Sequence, residues 1–353
     1  MKNIDVKPAP IKEYYIAYFD LLGYKEFFRT KPEQVEQFLE DINLAIHSIG
    51  IYMQEIGASF IAGEIANIQI KKKIFSDNIL LCLEVGETSS ECARLLAFMA
   101  SVADIQLSFI LQYGLFLRGG VTIGKLSFND EFVFGQGLID VVEMEESAKY
   151  PRIVISQNII DYMTKPHFVK QDDLNKACEI EKRAKAGETI AKEESDFCNL
   201  IWPLCIQDLF VTMFRDRLIY TVADGVNVLN YFYYFDARKI FDEQTLDNIL
   251  DNIKKVSSAD YERLQAPSLN LQEKLEQHKL CVIKKLKEYG NYGDFEITDQ
   301  ASIKERENVI KKYLWVTYFH NLICEKNNLP DCKIYSSSNC DAGYMALTVQ
   351  VQE

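Results

Sequence analysis

Residues 68–83 read IQIKKKIFSDNILLCL. The runs on either side of Ser76-Asp77-Asn78 are extended in character, and the trio between them has turn chemistry, so the stretch reads as a β-hairpin. Upstream, Tyr14 to Phe19 (YYIAYF) is a short aromatic and apolar run, hence a buried strand, and Gly23 follows it as a breaker. Pro32 to Ile56 is amphipathic and reads as helix. Downstream, Ser89 to Tyr113 has helical periodicity, with Ser and Glu near its start as a cap signal. Leu115 to Ile123 (LFLRGGVTI) reads as a strand interrupted by two glycines, Gly137 to Lys149 as a helix, and Arg152 to Ser156 (RIVIS) as a short strand before another helix. The order β-α-β-β-α-β, followed by an extra α-β, matches the ferredoxin-like split βαβ arrangement. The expected fold is therefore α+β. One face of its sheet is covered by helices and the other is free for a partner or a ligand.

Beyond Met163 the character changes. Asp172 to Asp196 is highly charged and helical, which predicts a solvated insertion. Tyr220 to Phe235 is rich in aromatics. Thr245 to Val256, Leu269 to Tyr289 and Ser302 to Asn327 are amphipathic helices. There is no internal repeat and no low-complexity linker. The expected division is residues 1–165 as one domain and 166–353 as an α-rich region packed on it.

Composition narrows the function. The chain has 353 residues, 48% hydrophobic and 26% charged, an ordinary globular balance that excludes disordered and fibrous classes. The net charge of −13 argues against direct binding to nucleic acid or to an anionic membrane. A nucleotide is still allowed, because metal ions mediate between carboxylates and phosphates. No apolar run reaches the roughly 18 residues of a membrane helix, and the start MKNIDVKPAPIKE lacks a signal-peptide core. Nine cysteines without a CxxC pair read as reduced, buried thiols of a cytoplasmic protein. The four histidines, His47, His167, His278 and His320, are far apart and read as core or surface residues.

The chemistry concentrates in two aspartates. Asp20 ends the first predicted strand and precedes Leu21-Leu22-Gly23, a strand-to-helix turn whose backbone N–H groups suit phosphate. Asp77 lies at the hairpin turn. Either aspartate alone reads equally as a cap or a turn residue. Adjacent strands would bring the pair to one edge of a site. There, two carboxylates and a triphosphate can hold two Mg²⁺ or Mn²⁺ ions.

FDLLGY (Phe19 to Tyr24), KIFSDNI (Lys73 to Ile79), LRGGVTIG (Leu117 to Gly124) and FGQGLIDVVEMEESAKYPRIVIS (Phe134 to Ser156) follow one another in the order seen in class III nucleotidyl cyclase catalytic domains. Over residues 14–157 the chain resembles their divergent bacterial branch, which contains the pyrimidine cyclases of Pycsar anti-phage defence. The resemblance implies that Asp20 and Asp77 bind two divalent metal ions, and that Leu21, Leu22 and Gly23 cradle the triphosphate. Lys73 falls where purine cyclases place a base-reading lysine. It also reads as a solvated lysine of the Lys71-Lys72-Lys73 run.

The departures from the family are specific. Purine cyclases carry an acidic base reader three positions before the glycine equivalent to Gly135. Here that position is Phe132, with Glu131 beside it. A bulky aromatic offers a stacking face and a smaller pocket, which suits a pyrimidine. The family's later asparagine and arginine fall on Ile139 and Glu143. Arg118 and Arg152 are the candidates to replace the arginine, since a planar guanidinium suits phosphate oxygens. Arg118 is the preferred catalytic cation, and Arg152, following Pro151 at a strand start, reads as structural. The segment KYLWVTYFHN (Lys312 to Asn321) resembles one recurrent in uncharacterised relatives and has no assigned role.

The resemblance thus implies a cytoplasmic homodimer that cyclises CTP or UTP to a 3′,5′-cyclic nucleotide as a defence signal. Each site would draw residues from both subunits across the open sheet faces. The competing readings are a cyclase for ATP or GTP, an inactive cyclase-like module that binds nucleotide, and a palm-type nucleotidyltransferase.

Overall fold

The computed structural model describes residues 10–47, 70–86, 91–164, 169–233, 271–290 and 300–334. The helix expected over Thr245 to Val256 lies outside them, as do the end of the Pro32 to Ile56 stretch and His167.

The first strand, β1 (Ile11–Leu22), is central, and Tyr14 to Ala17 are buried on both of its faces. This is why its sequence reads as a continuous apolar run instead of alternating. After it come α1 (Tyr24–Thr30), a 3₁₀ turn at Pro32–Gln34 and α2 (Val35–His47). Gly23 starts α1 with φ of 89°, a left-handed conformation that glycine adopts without cost. Strands β2 (Lys71–Phe75) and β3 (Asn78–Glu84) form the expected hairpin, closed by the pair Phe75 and Asn78 around Ser76-Asp77. Then follow α3 (Glu91–Tyr113), β4 (Phe116–Phe128), β5 (Val133–Phe134), α4 (Gln136–Ser147), β6 (Ile153–Ile155) and α5 (Gln157–Thr164).

The sheet runs β2-β3-β1-β4 with every neighbour antiparallel, and β6 then joins β4 in parallel. Tyr15, Ala17, Phe19 and Leu21 face the main core, against α3 residues such as Leu95, Phe98, Met99 and Val102. Residues Arg94–Tyr113 of α3 are long and apolar enough to cross a membrane by length and composition, but 78% of that window is buried inside the protein, as in a core helix.

The second face is not open, which corrects the expectation. Helix α4 crosses it, and Val141 and Leu138 pack with Tyr14, Ile16, Leu80, Cys82 and Leu126. Glycine makes the approach possible. A Cβ on Gly120 would meet Met144 Cβ at 2.7 Å, and one on Gly124 would meet Gly137 Cα at 2.6 Å. Gly119 and Gly120 do not interrupt the strand, which continues to Phe128. They lower its profile where a helix and a neighbouring backbone press against it.

Beyond residue 166 the chain is α-rich, but it also lengthens the sheet. Helices α6 (Gln171–Lys185) and α7 (Lys192–Leu218) pack together around Val169, Ala177 and Ile201. The charged stretch therefore has a small core of its own and is not wholly solvated. Strands β7 (Ile219–Thr221) and β8 (Asn227–Leu229) follow, and β8 pairs with β6 through Val154 and Val228. Helices α8 (Leu271–Gly290) and α9 (Gln300–Lys326) place Leu275, Val282, Val316, Phe319 and Ile323 in the same core as β1 and α3.

Candidate functional site

Side chains alternate along a strand, so Tyr18 and Asp20 share the face that α4 partly covers. Register sets Asp20 opposite Asn78 on one side and Arg118 on the other. The strand runs two residues past Asp20, which corrects the expectation that Asp20 ends it. The cause is that Leu21 and Leu22 keep pairing with β4. The N–H of Leu21 donates to the carbonyl of Asp77 at 2.8 Å. That bond holds the hairpin turn against β1 beside Asp20. It also commits the Leu21 N–H, so Leu21 has no free donor for a phosphate. The Leu21 side chain is core, Leu22 is half-buried, and the Gly23 carbonyl accepts from Phe27 N–H.

Around the aspartates the structure collects four groups to which the sequence assigned no role. The Tyr18 hydroxyl donates to Asn78 Oδ1 at 2.8 Å. Glu145, buried on α4, forms a close ion pair with Arg118 Nη2, which also lies 3.4 Å from Asp20 Oδ2. Lys312, half-buried on α9, is within electrostatic reach of Asp20, Arg118 and Glu145. Tyr18 and Asn78 were legible: one is two residues before Asp20 in a strand, and the other follows Asp77. Glu145 and Lys312 stood within flagged segments, but nothing local marked them as site residues, because only tertiary packing brings them here.

The electrostatics are those of a crowded acidic site. Burial raises the Asp20 carboxyl above its ordinary value, Arg118 opposes the shift, and the charge of Asp77 adds to it. Glu145 is likewise raised by burial, opposed by Arg118 and raised further by Asp20. A cation between Asp20 and Asp77 would relieve this strain. Among the described residues no group of three or more His, Cys, Asp or Glu side chains is arranged to hold a metal alone. Two carboxylates, with phosphate oxygens and water completing the shell, are nevertheless the usual protein contribution to Mg²⁺. The donor set therefore fits such an ion.

Arg118 is spoken for in this state: Glu145 and Asp20 hold its Nη2, while its buried Nε has no hydrogen-bond partner among the described residues. Arg152 is structural, as expected. Its Nε donates to Ala148 O at 3.0 Å, its Nη1 pairs with Asp224 at 2.6 Å, and its guanidinium lies over the rings of Tyr150 and Trp315.

Lys73 and Phe132 lie apart from the aspartates. The Lys73 ammonium donates to the carbonyl of Asp130 and lies 5.9 Å from the Phe128 ring. It therefore points to the β4–β5 connection, at the other end of β4 from Arg118. Phe132 is in that connection, 40% exposed, with its N–H donating to Asn129 Oδ1. Ile139 and Glu143 are exposed on the outer face of α4.

The distant histidines also meet. His278 and His320 stack with ring centroids 5.2 Å apart and Nδ1 atoms 3.1 Å apart. His320 Nε2 faces the Cys332 carbonyl at 2.9 Å, and His278 Nε2 faces the Tyr231 hydroxyl at 3.2 Å.

No family model matches the chain, and no curated protein matches it. Among solved structures it is similar to the crystal structure of the adenylyl cyclase CyaB from P. aeruginosa, at 13% identity and a TM-score of 0.30, over 44% of this chain and 83% of that one.

Proposed function

We propose that the protein is a nucleotidyl cyclase of ferredoxin-like fold that converts a pyrimidine nucleoside triphosphate, CTP or UTP, to its 3′,5′-cyclic monophosphate. The observation that carries this reading is the joining of β1 to the hairpin turn, through Leu21 N–H and Asp77 O, which brings two carboxylates to one end of an antiparallel sheet. The motif order in the sequence supports it independently.

In the reaction the ribose 3′-oxygen forms a bond to the α-phosphorus as the α–β phosphoanhydride bond breaks. Pyrophosphate leaves, and the hydroxyl proton passes to a carboxylate or to water. Divalent cations held by Asp20 and Asp77 would supply charge neutralisation on the leaving phosphates and acidify the attacking hydroxyl. The protein's share is positioning and electrostatics. The Leu21–Asp77 bond fixes the spacing of the carboxylates. Arg118, drawn from Asp20 once that carboxylate is otherwise engaged, offers its Nε and Nη groups to phosphate oxygens. Phe132, in the β4–β5 connection, and Lys73, which reaches that connection from β2 through the Asp130 carbonyl, form the base-reading pair of this proposal.

A homodimer reconciles the two ends of β4, because one protomer's aspartates can then meet its partner's β4–β5 connection. The exposed side chains of Phe132, Phe134 and Ile139, 40%, 72% and 52% exposed, give that end an apolar surface. Since α4 occupies the sheet face, contact through its outer side replaces contact through bare sheets. The resemblance extends the proposal to a cyclic-nucleotide alarm signal during phage infection.

The test is incubation of the purified protein with each of four labelled triphosphates and Mn²⁺. Cyclic CMP or cyclic UMP is the expected product; turnover of ATP or GTP alone would reject the pyrimidine reading. An inactive nucleotide-binding module is the second reading, favoured by Glu143 at the family's arginine position and by the engagement of Arg118 with Glu145. Binding without turnover of any of the four would select it.

A further inference from the structure

The helical half of the chain does more than cover the core. Helix α9 is pinned at both margins of the acidic site. The Tyr313 ring lies edge-on to Phe116 at 5.3 Å, two residues before Arg118 on β4. Trp315 stacks on Tyr150 at 6.1 Å, just after the helix that carries Glu145. Lys312, the residue before Tyr313, interacts electrostatically with Asp20, Glu145 and Arg118. Arg118 has an ion-pair partner in Glu145, whereas Lys312 makes no ion pair or hydrogen bond among the described residues. Burial, followed by the nearby Arg118, pulls the Lys312 ammonium below the usual lysine range. A flexible chain that ends in a half-buried ammonium with three donors, beside a cluster of carboxylates, is a receptor for a polyanion that arrives with its own cations.

We propose that Lys312, delivered by α9, is the polyphosphate-binding cation of this site and takes the terminal phosphate oxygens of the nucleoside triphosphate. The inference deepens the cyclase reading and rests on it for the identity of the substrate. It assigns part of the binding site to the region beyond residue 166. It also explains why α9 is fastened by aromatic contacts to the strand that carries Arg118 and to the segment just after the helix that carries Glu145.

The experiment uses the full-length protein with inorganic tripolyphosphate and Mn²⁺ as the probe, followed by calorimetry and thermal shift. Wild type is expected to bind, Lys312→Met to bind at least roughly tenfold more weakly, and Lys312→Arg to stay within about threefold of wild type. Unliganded Lys312→Met is expected to melt no lower than wild type, since it loses a half-buried charge without an ion-pair partner. Lys312→Gln repeats the measurement if the Met variant does not fold. Equal binding by wild type and the neutral variants overturns the proposal, as does failure of wild type to bind. The four-triphosphate assay separates the two readings. Turnover with KM unchanged in Lys312→Met keeps the cyclase and rejects Lys312. Lysine-dependent binding without turnover of any triphosphate keeps Lys312 and rejects the cyclase.

Discussion

At the scale of single residues, Asp77 is the cleanest test of the site. Its backbone carbonyl ties the hairpin to β1, while its side chain among the described residues accepts only a 3.4 Å contact from Asn78 Nδ2. Asp77→Ala therefore removes the carboxylate and leaves the backbone bond. We expect turnover to fall by roughly 10³-fold, the scale of losing several kcal/mol of charge stabilisation, with an unchanged melting temperature. Loss of folding together with activity would show that the carboxylate is structural. The sequence exposed Asp20 and Asp77 because one closes an aromatic and apolar run and the other sits in a turn between two extended runs. It hid the commitment of Leu21's N–H, because a cross-strand partner is a matter of register.

At the scale of elements, two packings decide what the sheet can do. Helix α4 lies on β4 because Gly120 leaves room for Met144. Gly120→Ala would force the 2.7 Å approach apart and lift the helix that carries Glu145. The expected cost is about 1–3 kcal/mol in denaturant unfolding, and much of it should be recovered in a Met144→Gly background, which lacks the Cβ that an alanine there would keep. No recovery would mean that the strand backbone itself is strained.

The second packing joins α8 to α9 through His278 and His320. The Cys332 carbonyl can only accept, so His320 Nε2 carries a proton and its Nδ1 accepts from His278 Nδ1–H. His278 Nε2 then accepts from the Tyr231 hydroxyl. A proton added to His320 sets two Nδ1–H groups face to face, and one added to His278 removes the Nε2 acceptor of the Tyr231 hydroxyl. Burial lowers both histidines, with His320 acting on His278 in the same direction and the Cys332 carbonyl opposing the shift on His320. The charged groups that act on His320 are Lys279, which lowers it, and Glu276, which raises it. The unfolded chain therefore takes up these protons first, and stability is complete above the ordinary histidine value of about 6.5 and declines as pH falls below it. Melting temperature should drop on acidification from pH 7 to pH 5, and His320→Gln should flatten that slope. An unchanged slope would place the acid sensitivity elsewhere.

At the scale of the whole molecule, one core serves both halves of the chain. Trp315, Phe319, Ile323 and Cys324 of α9 belong to the same cluster as Tyr15, Phe19 and Phe98. A 1–165 fragment would leave that surface in water, so its cooperative thermal transition should be lost in calorimetry. A sharp transition would instead show that the first region folds alone. The apolar end of the molecule supports assembly. Phe134→Asp places a charge where an apolar side chain is 72% exposed; under the proposed homodimer, light scattering should find dimers of the wild type and monomers of this variant. A dimer that survives this substitution would locate the interface on another surface.

The sequence alone determined the hairpin, the buried first strand, the core helix 91–113 and the two carboxylates that flank the sheet, because periodicity and turn chemistry are local properties of the chain. It also favoured a structural role for Arg152 from its place after Pro151, which the contacts with Ala148, Asp224 and Trp315 bear out. Only the tertiary structure decided that α4 closes the second face, that Arg118 is shared between Glu145 and Asp20, and that Lys312 comes within electrostatic reach of Asp20 from a distant part of the chain. The reason is physical. Which face a helix covers, and which charge meets which, depends on close packing between segments distant in the chain, and no local periodicity records it.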